Sequence, residues 1–241
     1  GMGRSVSDEM VAVGDGGVLL QLQSQDMSWQ QRTLPASVAA AQTDLLAVWL
    51  SSTDAWAVGA SATVVRCPLG GGACVKAALP AGLTAALRGV AGVESTAYVQ
   101  ASARAPVLNP VPTLALWVVG DSGLVWYFDG TAWAQQSVGT AATLRGVFAL
   151  SATDVVACGD SGTLIRFDGT SWSAISSGTS NTLHGVWAAS ATSIWVVGDQ
   201  GTLLFCNGGA SCQLVTTPTT AALYAVSGTR EYDVFAVGAG G

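Results

Sequence analysis

The tetrapeptide Gly-Asp-Ser-Gly occurs at 120–123 and again at 159–162. In serine proteases that sequence surrounds the nucleophile, and a histidine takes the hydroxyl proton before attack on an acyl carbon. Two features of this chain remove that chemistry. The same frame reads Gly-Asp-Gly-Gly at 14–17 and Gly-Asp-Gln-Gly at 198–201, so the serine is optional, and His184 is the only histidine that could serve as base. The unit is expected to be a turn. Its aspartates, Asp15, Asp121, Asp160 and Asp199, are of a type that ligates Ca²⁺ or binds sugar hydroxyls. Carboxylates spread over separate turns do not, however, make a continuous calcium loop. They are expected to accept backbone N–H groups of their own turns, as are Asp54, Asp154 and Asp233. With a single histidine, no metal and no cofactor are expected.

The cysteines are more informative. Cys67 and Cys74 flank Pro-Leu-Gly-Gly-Gly-Ala, and Cys206 and Cys212 flank Asn-Gly-Gly-Ala-Ser. A short Gly-rich loop lets two opposed strands bring their Cα atoms within disulfide range, so the bonds 67–74 and 206–212 are expected. A four-cysteine zinc site is disfavoured because neither pair has CxxC spacing. Structural disulfides imply an oxidising compartment. Cys158 is expected to be a buried small hydrophobe.

These residues sit in an internal repeat. The clearest copies are LRGVFALSATDVVACGDSGTLIRFDGTSWSAIS, from Leu144, and LHGVWAASATSIWVVGDQGTLLF, from Leu183. Looser copies begin at Leu45, Leu87 and Leu223, and MVAVGDGGVLLQLQSQDMSWQQ matches from the second element onward. The glycine that closes the second element falls at 14, 59, 120, 159, 198 and 238. Each copy reads as four short strands rich in Val, Ile, Trp and Thr, punctuated by Gly, Asp and Ser. The Asp-Gly of FDGT is a hairpin signal between the third and fourth strands. The cysteine pairs occupy this hairpin in the copies that lack Asp-Gly and its following Trp.

The second strand is apolar at nearly every position, so both faces of each sheet must be covered. Four-stranded units of about 40–45 residues packed on both faces indicate a β-propeller, which makes the fold class all-β with antiparallel blades. The unit GVW-x-SxTDVW-x-VGDxGT-x-x-x-x-DG-x-x-W resembles repeats of bacterial β-propeller proteins. It is more distantly similar to photosystem II assembly-factor-like and BNR/Asp-box propellers. FDGTSW lacks the leading Ser-x pair of the Asp box, so sialidase-like chemistry is not implied. Residues 1–7 are expected to be a tail, with Gly1 a non-native addition, and 8–241 a single propeller. Five blades are expected, the strand near Tyr224 completing the N-terminal blade; an incomplete part of a longer propeller is the alternative. A proline-rich insertion at 101–113 interrupts the third copy and is a place where specificity could reside.

Within this frame one set of positions stands out. Leu46, Arg88, Arg145, His184 and Tyr224 are second in the first strand of successive copies, and that strand lines the central channel of a propeller. Arg88, Arg145, His184 and Tyr224 are therefore candidate ligand-binding residues at the channel mouth. Two guanidinium groups beside a histidine and a tyrosine could hold a small anion such as a carboxylate or phosphate; the alternative is that each residue pairs with a carboxylate of the next blade or is solvated in the pore. The recurrent aromatics Trp29, Trp133 and Trp172, and Trp49, Phe148 and Trp187, are expected to pack between blades.

Composition narrows the partners. Nine basic residues against fifteen acidic ones, net −6, exclude a nucleic-acid partner because no run of phosphates could be neutralised. No stretch of about 18 apolar residues suggests membrane insertion, and GMGRSVSDEM has no apolar signal region. The expectation is a non-catalytic binding or scaffolding propeller of an exported or cell-surface bacterial protein, its export signal lying outside this sequence, with a protein or glycan ligand. The alternatives are a carbohydrate-binding, lectin-like propeller and a glycan-active hydrolase or lyase.

Overall fold

The computed structural model describes residues 2–4, 9–23, 26–80, 83–97 and 111–240. Its strands form six antiparallel sheets in chain order. The first contains β1 (Met2–Arg4), β2 (Met10–Gly14), β3 (Val18–Gln23) and β4 (Ser28–Gln31). A one-turn helix, α1 (Ala36–Ala39), leads to the second: β5 (Leu45–Leu50), β6 (Asp54–Gly59), β7 (Thr63–Pro68) and β8 (Val75–Lys76). The third contains β9 (Leu87–Ala97), β10 (Val111–Gly120), β11 (Val125–Phe128) and β12 (Trp133–Gln136). The fourth contains β13 (Leu144–Ser151), β14 (Asp154–Gly159), β15 (Leu164–Phe167) and β16 (Trp172–Ala174). The fifth contains β17 (Leu183–Ser190), β18 (Ser193–Gly198), β19 (Leu203–Cys206) and β20 (Gln213–Leu214), and the sixth only β21 (Leu223–Arg230) and β22 (Asp233–Gly238). The architecture is the expected β-propeller, in the form of an incomplete one.

Two expectations change. Residues 2–4, expected in a tail, form β1 and pair with β2 (Met2 opposite Ala12). The strand carrying Tyr224 does not complete the first blade. Leu223 pairs with Gly238 inside its own sheet, because the chain supplies β21 with a second strand only a tight turn away. Neither second strand is therefore surplus. Of the insertion at 101–113, residues 101–110 lie outside the described residues, and 111–113 belong to β10.

The core lies between sheets, not within one. Successive residues of a strand point to opposite faces. In β6, Ala55 and Ala57 join the cluster shared with the first sheet, while Trp56 and Val58 join Leu87, Leu116 and Val118 of the third. The alternation continues. Trp117 and Val119 of β10 meet Val155 and Ala157 of β14, and Val156 and Cys158 meet Ile194 and Val196 of β18. This is why the second strand reads as continuously apolar. The Trp49 ring lies 3.0 Å from where a Cβ on Gly92 would stand, and that of Trp187 lies 2.8 Å from the same place on Gly228. Both are contacts to the next blade, as expected of these aromatics.

Candidate functional site

The first strands of the second to sixth sheets converge on a cavity of about 300 Å³. Its lining includes Leu46, Arg88, Arg145 and Tyr224 at one end and Val48, Val90 and Val147 along the walls. His184 lies beside Gly185 of the same lining, and its ring meets that of Tyr224 edge-on at 5.2 Å. The structure thus brings the four candidate residues together.

Local backbone geometry aims these side chains. In the pairing of first and second strands the register shifts between Leu45 and Ala47, Leu144 and Gly146, Leu183 and Gly185, and Leu223 and Ala225. Leu46, Arg145, His184 and Tyr224 are each the additional residue of a β-bulge, a device that re-aims a side chain out of the ladder. In the third sheet the same shift leaves Arg88 without a partner between Leu87 and Gly89. The bulge lies opposite the turn that follows the second strand.

That proximity pairs the bulged residue with an aspartate of its own sheet, where the sequence pointed to a carboxylate of the next blade. Arg88 Nε donates to Asp121 Oδ1 at 2.5 Å, Arg145 Nε to Asp160 Oδ1 at 2.5 Å, and His184 Nε2 lies 2.7 Å from Asp199 Oδ1. The hydrogen bonds of the three carboxylates, among the described residues, run to the bulged residues and not to N–H groups of their own turns, which corrects the expectation for them. The hydrogen bond from Arg88 holds the Asp121 carboxyl below the usual range against the opposing effect of partial burial, and Arg145 adds to the lowering. A signal was present in the sequence. Asp follows the glycine wherever the bulged residue is Arg or His, whereas Ala60 accompanies Leu46 and Ala239 accompanies Tyr224.

On the opposite face Asp54, Asp154 and Asp233 do not act mainly as turn caps either. Asp54 Oδ2 accepts from Arg66 Nη2 at 2.8 Å, and Asp154 accepts from Arg166 Nε and Nη2, both at 2.8 Å. Asp233 Oδ2 accepts from the Thr229 hydroxyl at 2.6 Å. A cavity of about 320 Å³ between the second and third sheets is lined there by Trp56, Arg66, Glu94 and Asp129, among others. Among the described residues no group of three or more His, Cys, Asp or Glu could hold a metal ion.

The cysteine pairs stand at bonding distance, Cys67 to Cys74 at 2.04 Å and Cys206 to Cys212 at 1.95 Å. They close the same hairpin that Asp129 and Asp168 close elsewhere. Asp129 Oδ1 accepts from the N–H groups of Thr131 and Ala132, and Asp168 Oδ1 from those of Thr170 and Ser171. Trp133 and Trp172 then pack on Phe128 and Phe167. Cys158 is buried and free, and burial raises its thiol pKa to about 12.

Radial four-stranded sheets around a channel lined by their first strands define the chain as a β-propeller. No family model matches the sequence, and no curated protein matches it. Solved structures do. YCF48 from Cyanidioschyzon merolae is similar over 98% of this chain and 76% of that chain, with 14% identity and a TM-score of 0.68. YCF48 bound to D1 peptide is similar over 98% and 89%, with 16% identity and a TM-score of 0.52. The RRP9 WD40 repeats are similar over 98% and 72%, with 10% identity and a TM-score of 0.73. At these identities the likeness is one of fold.

Proposed function

We propose that this chain is a non-catalytic binding propeller that takes a polypeptide partner at the mouth of its central channel. The observation that carries the reading is the arc of three cation–carboxylate pairs on consecutive blades, Arg88–Asp121, Arg145–Asp160 and His184–Asp199. Each guanidinium is oriented through Nε, and its terminal nitrogens meet no acceptor among the described residues. Donors held in this way suit a backbone carbonyl or carboxylate of a ligand, and the valine walls suit one apolar side chain. Three carboxylates face two guanidinium groups, so a free sulfate or phosphate gains little from the site. The similar fold of YCF48, solved with a D1 peptide bound, supports a peptide ligand by analogy alone. The two disulfides support a place outside the reducing cytoplasm. Among the described residues no helix is long and apolar enough to cross a membrane.

A second reading rests on the cavity of Trp56, Arg66, Glu94 and Asp129 between blades, whose mix of ring, donor and carboxylates suits a sugar. Parallel peptide and glycan arrays separate the two. Peptide binding is expected, with affinity falling about tenfold or more in the double variant Arg88→Gln, Arg145→Gln, as loss of charge-assisted hydrogen bonds requires. Undiminished peptide affinity in that variant would remove the mouth from the reading. Glycan binding that survives it but is lost with Arg66→Gln would favour the sugar site.

A further inference from the structure

The two cysteine hairpins reach across to the preceding sheet, and the two Asp-Gly hairpins do not. Among the described residues, the hydrogen bonds of Asp129–Ala132 and of Asp168–Ser171 stay inside each hairpin. The loop closed by Cys67 and Cys74 in the second sheet gives its carbonyls to the first sheet. Arg32 donates to the oxygens of Pro68 at 3.0 Å and Gly72 at 2.8 Å, and Gln21 Nε2 donates to that of Leu69 at 2.9 Å. The loop closed by Cys206 and Cys212 in the fifth sheet is joined to the fourth by main chain alone. Ser176 N donates to the Ala210 oxygen and Cys212 N to the Ser176 oxygen, both at 2.9 Å, which makes a parallel bridge between Ser176 and Ser211.

The two clasps differ in what else holds them. Leu69 is buried in one core cluster with Cys67 and Cys74, and its N–H donates to the Thr53 oxygen at 2.8 Å. The first loop therefore keeps its partners whether or not its sulfurs are joined. In the second loop residues 207–211 are all exposed. Asn207 precedes its glycine as Asp129 and Asp168 precede theirs, but its Oδ1 accepts one N–H, from Gly209 at 3.3 Å, where each aspartate accepts two at 2.8 Å. Here the covalent bond replaces turn chemistry.

Access differs as well. Thiol–disulfide exchange needs a thiolate to reach a sulfur. Cys67, Cys74 and Cys206 are 1%, 7% and 0% exposed, whereas Cys212 is partly exposed. Cys206 and Cys212 lie in the cluster shared with the fourth sheet, on the side turned away from the sixth, so the sixth sheet has no part in their access. The segment they hold also shapes a cavity. Ser176 to Ser180 form one wall of a space of about 670 Å³ whose other lining includes Thr140 and Gly162. From that wall the chain runs directly into β17, which carries His184.

We propose that the Cys206–Cys212 bond is a redox switch of the joint between the fourth and fifth sheets, closed when oxidised. A thiolate of a dithiol reductant attacks Cys212 Sγ, the S–S bond breaks, and Cys206 leaves as a thiolate that takes up a proton. The second thiol of the reductant, losing its own proton, attacks the mixed disulfide and releases Cys212. The protein gains two electrons and two protons, and the dithiol becomes a disulfide. With the bond open, loop 207–211 parts from Ser176, and the wall 176–180 moves away from Thr140 and Gly162.

The test titrates the intact chain with mixtures of reduced and oxidised dithiothreitol. Thiols are mapped by differential alkylation and amides by hydrogen exchange. The 206–212 bond should open at a lower proportion of reductant than 67–74. Exchange at Ser176 and Cys212 should then speed about tenfold or more, as loss of a main-chain hydrogen bond requires, while Leu69 stays slow. The variant Cys206→Ser, Cys212→Ser should show the fast exchange without reductant, and Cys67→Ser, Cys74→Ser should leave Ser176 slow. Opening of 67–74 first or together with 206–212 overturns the proposal, and so does unchanged exchange at Ser176 once 206–212 is open. Exchange that rises equally across β14 and β15 also overturns it, because the bond then holds the whole fold and not one joint. If a serine variant fails to fold, the titration of the parent chain decides alone.

Discussion

Gly162 and Gly178 belong to the same repeat and share a left-handed backbone, with φ of +69° and +72°. They differ in what a side chain would meet. A Cβ on Gly162 would stand 1.9 Å from the carbonyl oxygen of Thr179 and 2.9 Å from Ser177 Oγ, whereas nothing lies within 4 Å of one on Gly178. Alanine at either position must adopt the left-handed conformation, at roughly 1–2 kcal/mol. Gly178→Ala therefore costs about 1 kcal/mol, which for a chain of this size lowers the melting temperature by roughly 2–4 °C. Gly162→Ala adds a clash with backbone, which cannot rotate away as a flexible side chain would. Overpacking adds roughly 1–3 kcal/mol, so the total is about 3–4 kcal/mol and the melting temperature falls by roughly 6–16 °C. Thermal unfolding followed by circular dichroism and calorimetry measures both. Equal shifts for the two variants would refute the argument that close approach, beyond φ alone, holds the last glycine of the Gly-Asp-x-Gly turn.

Three further outcomes are expected. Non-reducing peptide mapping should find 67–74 and 206–212 linked, with Cys158 unreactive to thiol reagents until the chain unfolds; reducing either short loop should cost about 2–3 kcal/mol by loop-closure entropy. The Asp129 carboxyl, held down to about 2 chiefly by the Thr131 hydroxyl and then by the N–H groups of Ala132 and Thr131, should show that low pKa by NMR. A carboxyl depressed in the folded state stabilises above the unfolded pKa near 4 and loses this as pH falls toward 2; Asp129→Asn should flatten that part of the acid unfolding curve, and an unchanged curve would contradict the assignment. A double-mutant cycle on Asp154→Asn and Arg166→Gln should give a coupling of about 1 kcal/mol, since the pair is bidentate but partly exposed; zero coupling would reduce it to a surface contact.

The repeat, its four strands, both faces of the second strand being buried, and the cysteine pairs were all legible in the sequence. Each depends on local spacing, on turn chemistry, or on the period of apolar residues, and these are properties of short segments. The positions that ring the channel were legible too, because the repeat places Leu46, Arg88, Arg145, His184 and Tyr224 at one height. Their partners were not. The sequence alone points to Asp121 as the cap of its own turn, because its nearest N–H groups are local. Only the pairing of β9 with β10, and the bulge that turns Arg88 out of the ladder, brings the guanidinium to it from 33 residues away. The same holds for Arg66 and Asp54, joined by the register of β7 on β6. The count of blades was likewise decided in three dimensions. Sequence periodicity counts strands, but which strand pairs with which depends on hydrogen bonds, and Leu223 bonds to its own hairpin partner instead of crossing to the first sheet.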